Sequence, residues 1–154
     1  MNESKDLKRT QEFVTKLKST NSTNDKIDII KEYNDDYIIK QVLKYTYSPF
    51  KQFHLTSATV KKNKKLEPRE GYNDLFYLLD ALTKRTITGH EAIQSVKGYI
   101  QHMEEWQQDL VFCILDKNLK TRTGADLINK AIPGCVPTFK VALANSYDKQ
   151  KSKV

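Results

Sequence analysis

Glycine and proline are scarce in this sequence, five and four in 154 residues. So little turn chemistry argues against an all-β or linker-rich chain. Cysteine is scarcer still. Cys113 and Cys135 are the only two, and neither stands in a CxxC or Cys/His ligand cluster. Two such cysteines exclude a disulfide framework and point to a reducing interior. Cys113 lies in the apolar run LVFCIL and reads as a small buried hydrophobe. No run of about 18 apolar residues occurs, and the N-terminal MNESKDLKRTQ lacks an apolar core. Neither a membrane span nor a signal peptide is expected, and the expected setting is soluble and intracellular. Several catalytic signatures are also missing: the Walker phosphate loop, the dinucleotide-binding glycine pattern, the zincin histidine pair and the serine-hydrolase elbow. His54, His90 and His102 lie far apart and form no ligand motif, so no metal is expected on them.

What is present is a globular composition, 38% hydrophobic and 29% charged. A chain of this length is most simply one domain, able to bury about two-thirds of its unfolded surface. Helical periodicity dominates. Leu7, Phe13, Val14 and Leu17 share one face, and STNSTND then interrupts with capping residues. Ile27, Ile29 and Ile30 mark a second helix. Tyr37, Ile38, Val42 and Tyr45 mark a third, with Asp35 or Asp36 as its cap and Ser48-Pro49 as its end. Residues 48–70 have no clean period and read as a loop with a short extended piece. A helix is expected over about 72–84, carrying Leu75, Leu78, Leu79 and Leu82. Another starts at Thr88-Gly89, where Glu91 completes a capping box. Trp106, Leu110, Cys113 and Ile114 define a helix over about 104–117, and ADLINKAI is a short one stopped by Pro133-Gly134. The expected fold is all-α: an irregular bundle of about seven helices, with a helical domain over 1–140 and an extended strap over 141–154.

Charge is segregated. The net charge is +7, but residues 1–35 are neutral, 36–90 carry +5, 91–116 carry −4 and 117–154 carry +6. Such blocks suit a polyanion-binding face, and they also suit an ordinary solvated surface. In the break TKRTITGHEAI, Lys84 and Arg85 close one helix while Thr88 and Gly89 open the next. Free N–H groups and the positive dipole end at a helix start favour phosphate, and glycine lets it approach. Plain helix caps explain the same residues. A second break repeats the arrangement: Lys117, Lys120 and Arg122, then Thr123-Gly124, with Lys130 further on. Two such breaks favour a reader of nucleic-acid backbone, which positions a protein without reading sequence. The acidic residues Glu104, Glu105, Asp109 and Asp116 would serve a divalent-metal enzyme only if they converged on one cleft; a solvated acidic face is the simpler reading.

KYTYS (44–48), TKRTITGHEAIQSVKGYI (83–100), LINKAIPGCVPTF (127–139) and VALANSYD (141–148) follow in this order. In this series the chain resembles the N-terminal helical DNA-binding domain of ATP-dependent DNA ligases, closest to the T-even bacteriophage type, over roughly residues 36–148. The resemblance implies docking on the minor groove of duplex DNA around a nick, in replication, repair and recombination, with an extended strap leading to a nucleotidyltransferase domain. Phosphate contact then falls to Lys84, Arg85, Thr88, Gly89, Lys120, Arg122, Thr123, Gly124 and Lys130. For a full-length ligase the resemblance implies ATP and Mg²⁺; this sequence has no Lys-x-Asp-Gly motif, so no catalytic residue or cofactor is expected in it. A catalytic domain separately encoded or missing would be a partner, with host cytoplasm as the setting of a phage product. Where such ligases often carry Arg-Asp-Leu and then glycine, this chain has Lys117-Asn118-Leu119 and Arg122. The lysine run 61–65 lies outside the pattern and reads as a mobile basic loop. The alternative reading is a helical adaptor that docks a protein on its acidic segment or apolar strap.

Overall fold

The computed structural model describes residues 3–138. Among them are eight α-helices and no strand: α1 (Glu3–Lys18), α2 (Thr23–Glu32), α3 (Tyr37–Tyr47), α4 (Ser57–Lys62), α5 (Leu75–Thr83), α6 (Gly89–Ile100), α7 (Glu105–Leu115) and α8 (Ala125–Ala131). The expected strap over 141–154 lies outside the described residues, and so does the end of the expected domain. No described helix is long and apolar enough to cross a membrane.

One continuous core holds the bundle. Phe13 and Leu17 of α1, Ile30 of α2, Ile39 and Leu43 of α3, four leucines of α5, Ile114 of α7 and Leu119 beyond it are fully buried. Each such side chain contributes about 1.5–3 kcal/mol on leaving water. α7 occupies the middle and touches α1, α3, α4 and α6, while α8 lies along α2. Side chains set several helix starts. Asp36 Oδ1 accepts from Ile39 N–H at 3.2 Å, and Asp74 Oδ2 accepts from Tyr77 N–H at 3.1 Å. The second cap moves the start of α5 to Leu75, three residues later than the periodicity alone implies.

Two expectations are corrected. Residues 48–70 contain a helix, α4, and no extended strand piece. Its six residues are too few to be stable alone, so no period announces it. It is held by Asp116, which ends α7 and accepts from Ser57 N–H at 2.7 Å and Ser57 Oγ at 2.5 Å. The capping box at Thr88 does not form: Thr88 makes no side-chain cap bond. Glu91 instead meets Arg69 Nη1 at 3.3 Å.

The lysine run is tied down. Lys61 and Lys62 form the last turn of α4, and Lys97 donates to the carbonyls of Asn63 and Leu66. The exit from α8 is fixed as well. The Asn129 amide donates to Val136 O and accepts from Val136 N–H, both at 2.9 Å, around a turn that Gly134 makes at φ +75°. This two-way clasp gives a physical reason for the INK–PG spacing. Cys113 and Cys135 are half-buried, and burial pushes both thiols up.

Candidate nucleic-acid interface

The two basic breaks begin on the same backbone motif. At the end of α5, Arg85 N–H donates to Leu82 O (3.2 Å) and Thr86 N–H to Ala81 O (2.9 Å). At the end of α7, Lys117 N–H donates to Ile114 O (3.0 Å) and Asn118 N–H to Cys113 O (2.9 Å). Both are Schellman closures, whose turning residue is usually glycine. Here it is a cation in each case, Arg85 at φ 58° and Lys117 at φ 60°. Non-glycine residues adopt this left-handed region uncommonly and at a cost.

The second break stays left-handed at Lys120 (φ 61°) and Arg122 (φ 59°). Anchors on every side hold it. Lys117 Nζ donates to the carbonyls of Tyr45 (3.0 Å), Ser48 (2.9 Å) and Lys51 (2.6 Å) and lies over the Phe53 ring. Burial pushes this ammonium down to about 8, while the three carbonyls favour its charged form. Leu119 is buried, and its N–H donates to Tyr47 Oη at 3.2 Å. Lys120 N–H donates to Asn118 Oδ1 at 2.8 Å. Thr121 is buried, its hydroxyl shares a hydrogen bond with that of Thr123, and its carbonyl accepts from Lys26 Nζ at 2.9 Å. The loop is therefore built before any ligand arrives, with Lys120 and Arg122 exposed on it. Arg122 thus holds a left-handed conformation that glycine adopts at less cost.

The breaks differ where they end. Gly89 opens the twelve-residue α6 at φ +56°, and nothing lies within 4 Å of where its side chain would start. The left-handed backbone favours glycine there, and the space beside Gly89 is open. Gly124 is extended at φ −131° and precedes a helix of only seven residues, so its dipole end is short. Lys84 caps the end of α5 and borders a recess with Tyr72 and Tyr77.

Lys84, Arg85, Thr88 and Gly89 thus share the α5–α6 turn. Lys120, Arg122, Thr123 and Gly124 share the α7–α8 loop, and Lys130 stands exposed in the last turn of α8. The structure adds Lys18 and Lys26, which line one cleft with Lys120 and Arg122. No sequence signal marks that meeting, since Lys26 and Thr121 are 95 positions apart. Other cations are engaged within the chain: Lys97 and Lys117 hold carbonyls, and the partly exposed Arg9 pairs with Asp6 and Asp36. Among the described residues no group of three or more His, Cys, Asp and Glu could hold a metal. Asp116 of the acidic set is engaged by Ser57, and Glu104 is the residue that caps the start of α7, where its N–H donates to Gln107 Oε1 at 2.9 Å.

No family model matches the chain. Over 145 residues it is 27% identical to the DNA ligase of Enterobacteria phage T4, and equally to that of Enterobacteria phage T6. The matched stretch is 90% of this chain and 29% of each ligase, so the chain spans under a third of these relatives. Among solved structures it is similar to Pmar-Lig_Pre, with a TM-score of 0.64 at 21% identity over 79% of this chain and 29% of that one. It is also similar to Pmar-Lig_PreS3, with a TM-score of 0.60 at 23% identity over the same shares. These likenesses show the fold, and the phage ligases show homology over nearly the whole chain.

Proposed function

We propose that this homologue of phage DNA ligases is their N-terminal DNA-binding domain, and that it holds nicked duplex DNA through the phosphate backbone without reading sequence. The observation that carries the reading is the prebuilt 117–124 loop, which turns Lys120 and Arg122 outward while Lys117 and Lys26 fix its backbone. Lys84, Arg85, Thr88 and Gly89 supply a second contact at the start of α6, and Lys130 adds charge. Phosphate contacts of this kind set position and salt dependence.

Adenylation and sealing belong to another domain in this reading. ATP chemistry needs a lysine free to attack phosphorus. The lysine whose ammonium burial pushes down, Lys117, has three carbonyls on its Nζ. The residues present do not fit that role. Incubation of this chain with ATP and Mg²⁺ should leave its intact mass unchanged; a gain of one AMP would contradict the assignment.

The binding test is the variant Arg122→Ala. It should weaken every duplex to a similar degree and flatten the slope of log K against log salt by about 1. A loss confined to one DNA sequence, or an unchanged slope, would contradict backbone contact by this residue.

A further inference from the structure

The α1–α2 connection has no role in the reading above, yet it forms one wall of a cleft of about 270 Å³ whose other wall is the α7–α8 loop. Four cations line it: Lys18 from the last turn of α1, Lys26 from α2, and Lys120 and Arg122 from the loop. Asn21 and Thr20 add an amide and a hydroxyl, and no carboxylate is among the lining residues. Asp25 is near, but it accepts from Thr20 Oγ1 at 3.2 Å and does not line the cleft.

Lys26 is the unusual member. It is only 5% exposed, and a lysine is almost never fully buried unless paired. Its Nζ donates to the Thr121 carbonyl at 2.9 Å, a neutral partner. An ammonium carries three donors, so that one bond does not use its capacity. Lys18 and Lys120 are exposed, and Lys18 also borders an adjoining recess with Asp109. The volume takes a tetrahedral phosphate and several waters, at about 30 Å³ each. Like charges that meet in one concavity repel, and an anion between them reverses the sign of each interaction.

We infer that this cleft is a phosphate clamp that takes one phosphodiester group of the bound DNA, so that α1 and α2 join the interface. Lys26 acts from below, joining α2 to the loop and charging the floor; Lys18, Lys120 and Arg122 close on the phosphate from the rim. The inference rests on the DNA-binding reading, because free inorganic phosphate offers the same chemistry and the clamp commits to the backbone source.

The experiment follows backbone amides by NMR during titration with a short nicked duplex and, separately, with inorganic phosphate. The same duplex is bound to wild type and to Lys18→Gln across a salt series, with circular dichroism confirming that the variant folds. The clamp predicts duplex-induced shifts at residues 18–26 and 120–123. It also predicts a several-fold affinity loss in Lys18→Gln with the salt slope reduced by about one phosphate. Duplex binding with silent amides there and an unchanged slope overturns the clamp and leaves the DNA reading standing. Shifts with inorganic phosphate but not with duplex overturn it differently, as a free-anion site. Absence of any duplex binding by wild type fails the DNA reading itself, and the clamp with it.

Discussion

Arg85 and Lys117 occupy the same position in two copies of one motif, each turning left-handed where a Schellman closure usually places glycine. Their side chains are used in opposite ways. Lys117 Nζ turns inward onto three carbonyls, whereas Arg85 is exposed. Equal backbones with opposite side-chain roles make the pair a way to separate stability from binding.

Arg85→Gly removes the cation and relieves a left-handed residue, a change of about 1 kcal/mol that the extra freedom of glycine in the unfolded chain partly offsets. The melting temperature should hold or rise slightly while duplex affinity falls. Thermal melts paired with binding isotherms check this. A variant that loses stability and keeps its affinity would place Arg85 outside the interface.

Lys117→Met should do the reverse to the fold. It strips the carbonyls of Tyr45, Ser48 and Lys51 of a common donor, at about 1–3 kcal/mol for part-buried groups left without it. Urea unfolding should show that loss, with affinity falling further as Lys120 and Arg122 lose their fixed backbone. An unchanged midpoint would show that the ammonium holds nothing together.

The bidentate pair between Arg9 and Asp36, at 2.9 Å for both bonds, predicts acid sensitivity. Burial alone raises the Asp36 carboxyl, but the Arg9 bonds and the Ile39 N–H outweigh it and hold it below its ordinary value. The unfolded chain then binds the proton first, so this stability is present above about pH 4 and is lost as pH falls through the folded value. Asp36→Asn should flatten the acid limb of the stability curve. An acid limb identical to wild type would assign it to other carboxylates.

Gly98→Ala should destabilise by about 1–3 kcal/mol through overpacking. An added Cβ would lie 2.1 Å from the carbonyl oxygen of Arg69, which is backbone and cannot swing aside. Hydrogen exchange should quicken at the Arg69 amide, which donates to Gln94 O at 2.9 Å. Unaltered exchange and melting would mean that the 67–70 segment is not held against α6.

The helical character of the fold was legible because its long elements carry their own information. Apolar spacing located α1, α2, α3, α5 and α7, the Thr88-Gly89 break marked the start of α6, and the cap of α3 was narrowed to Asp35 or Asp36, of which the structure uses Asp36. α4 was hidden because its order comes from Asp116, 59 residues away. The Thr88–Glu91 pattern misled because Arg69, 22 residues from Glu91, draws that carboxylate away. Charge segregation marked both breaks, but it could not tell Lys117, which faces inward, from Lys120, which faces out. Nor could it bring Lys18 and Lys26 to the second break, since only tertiary packing joins α2 to that loop. The resemblance to phage ligases stands over most of the chain, and the Asn129–Val136 clasp gives the LINKAIPGCVPTF stretch a structural reason.

The central claim is backbone reading of duplex DNA, and fluorescence anisotropy tests it most directly: nicked duplex, intact duplex and single strand, each across a salt series. The account predicts duplex binding, tightest on the nicked form, that falls steeply as salt rises. Duplex binding that is absent even at low salt, or indifferent to salt, would contradict it.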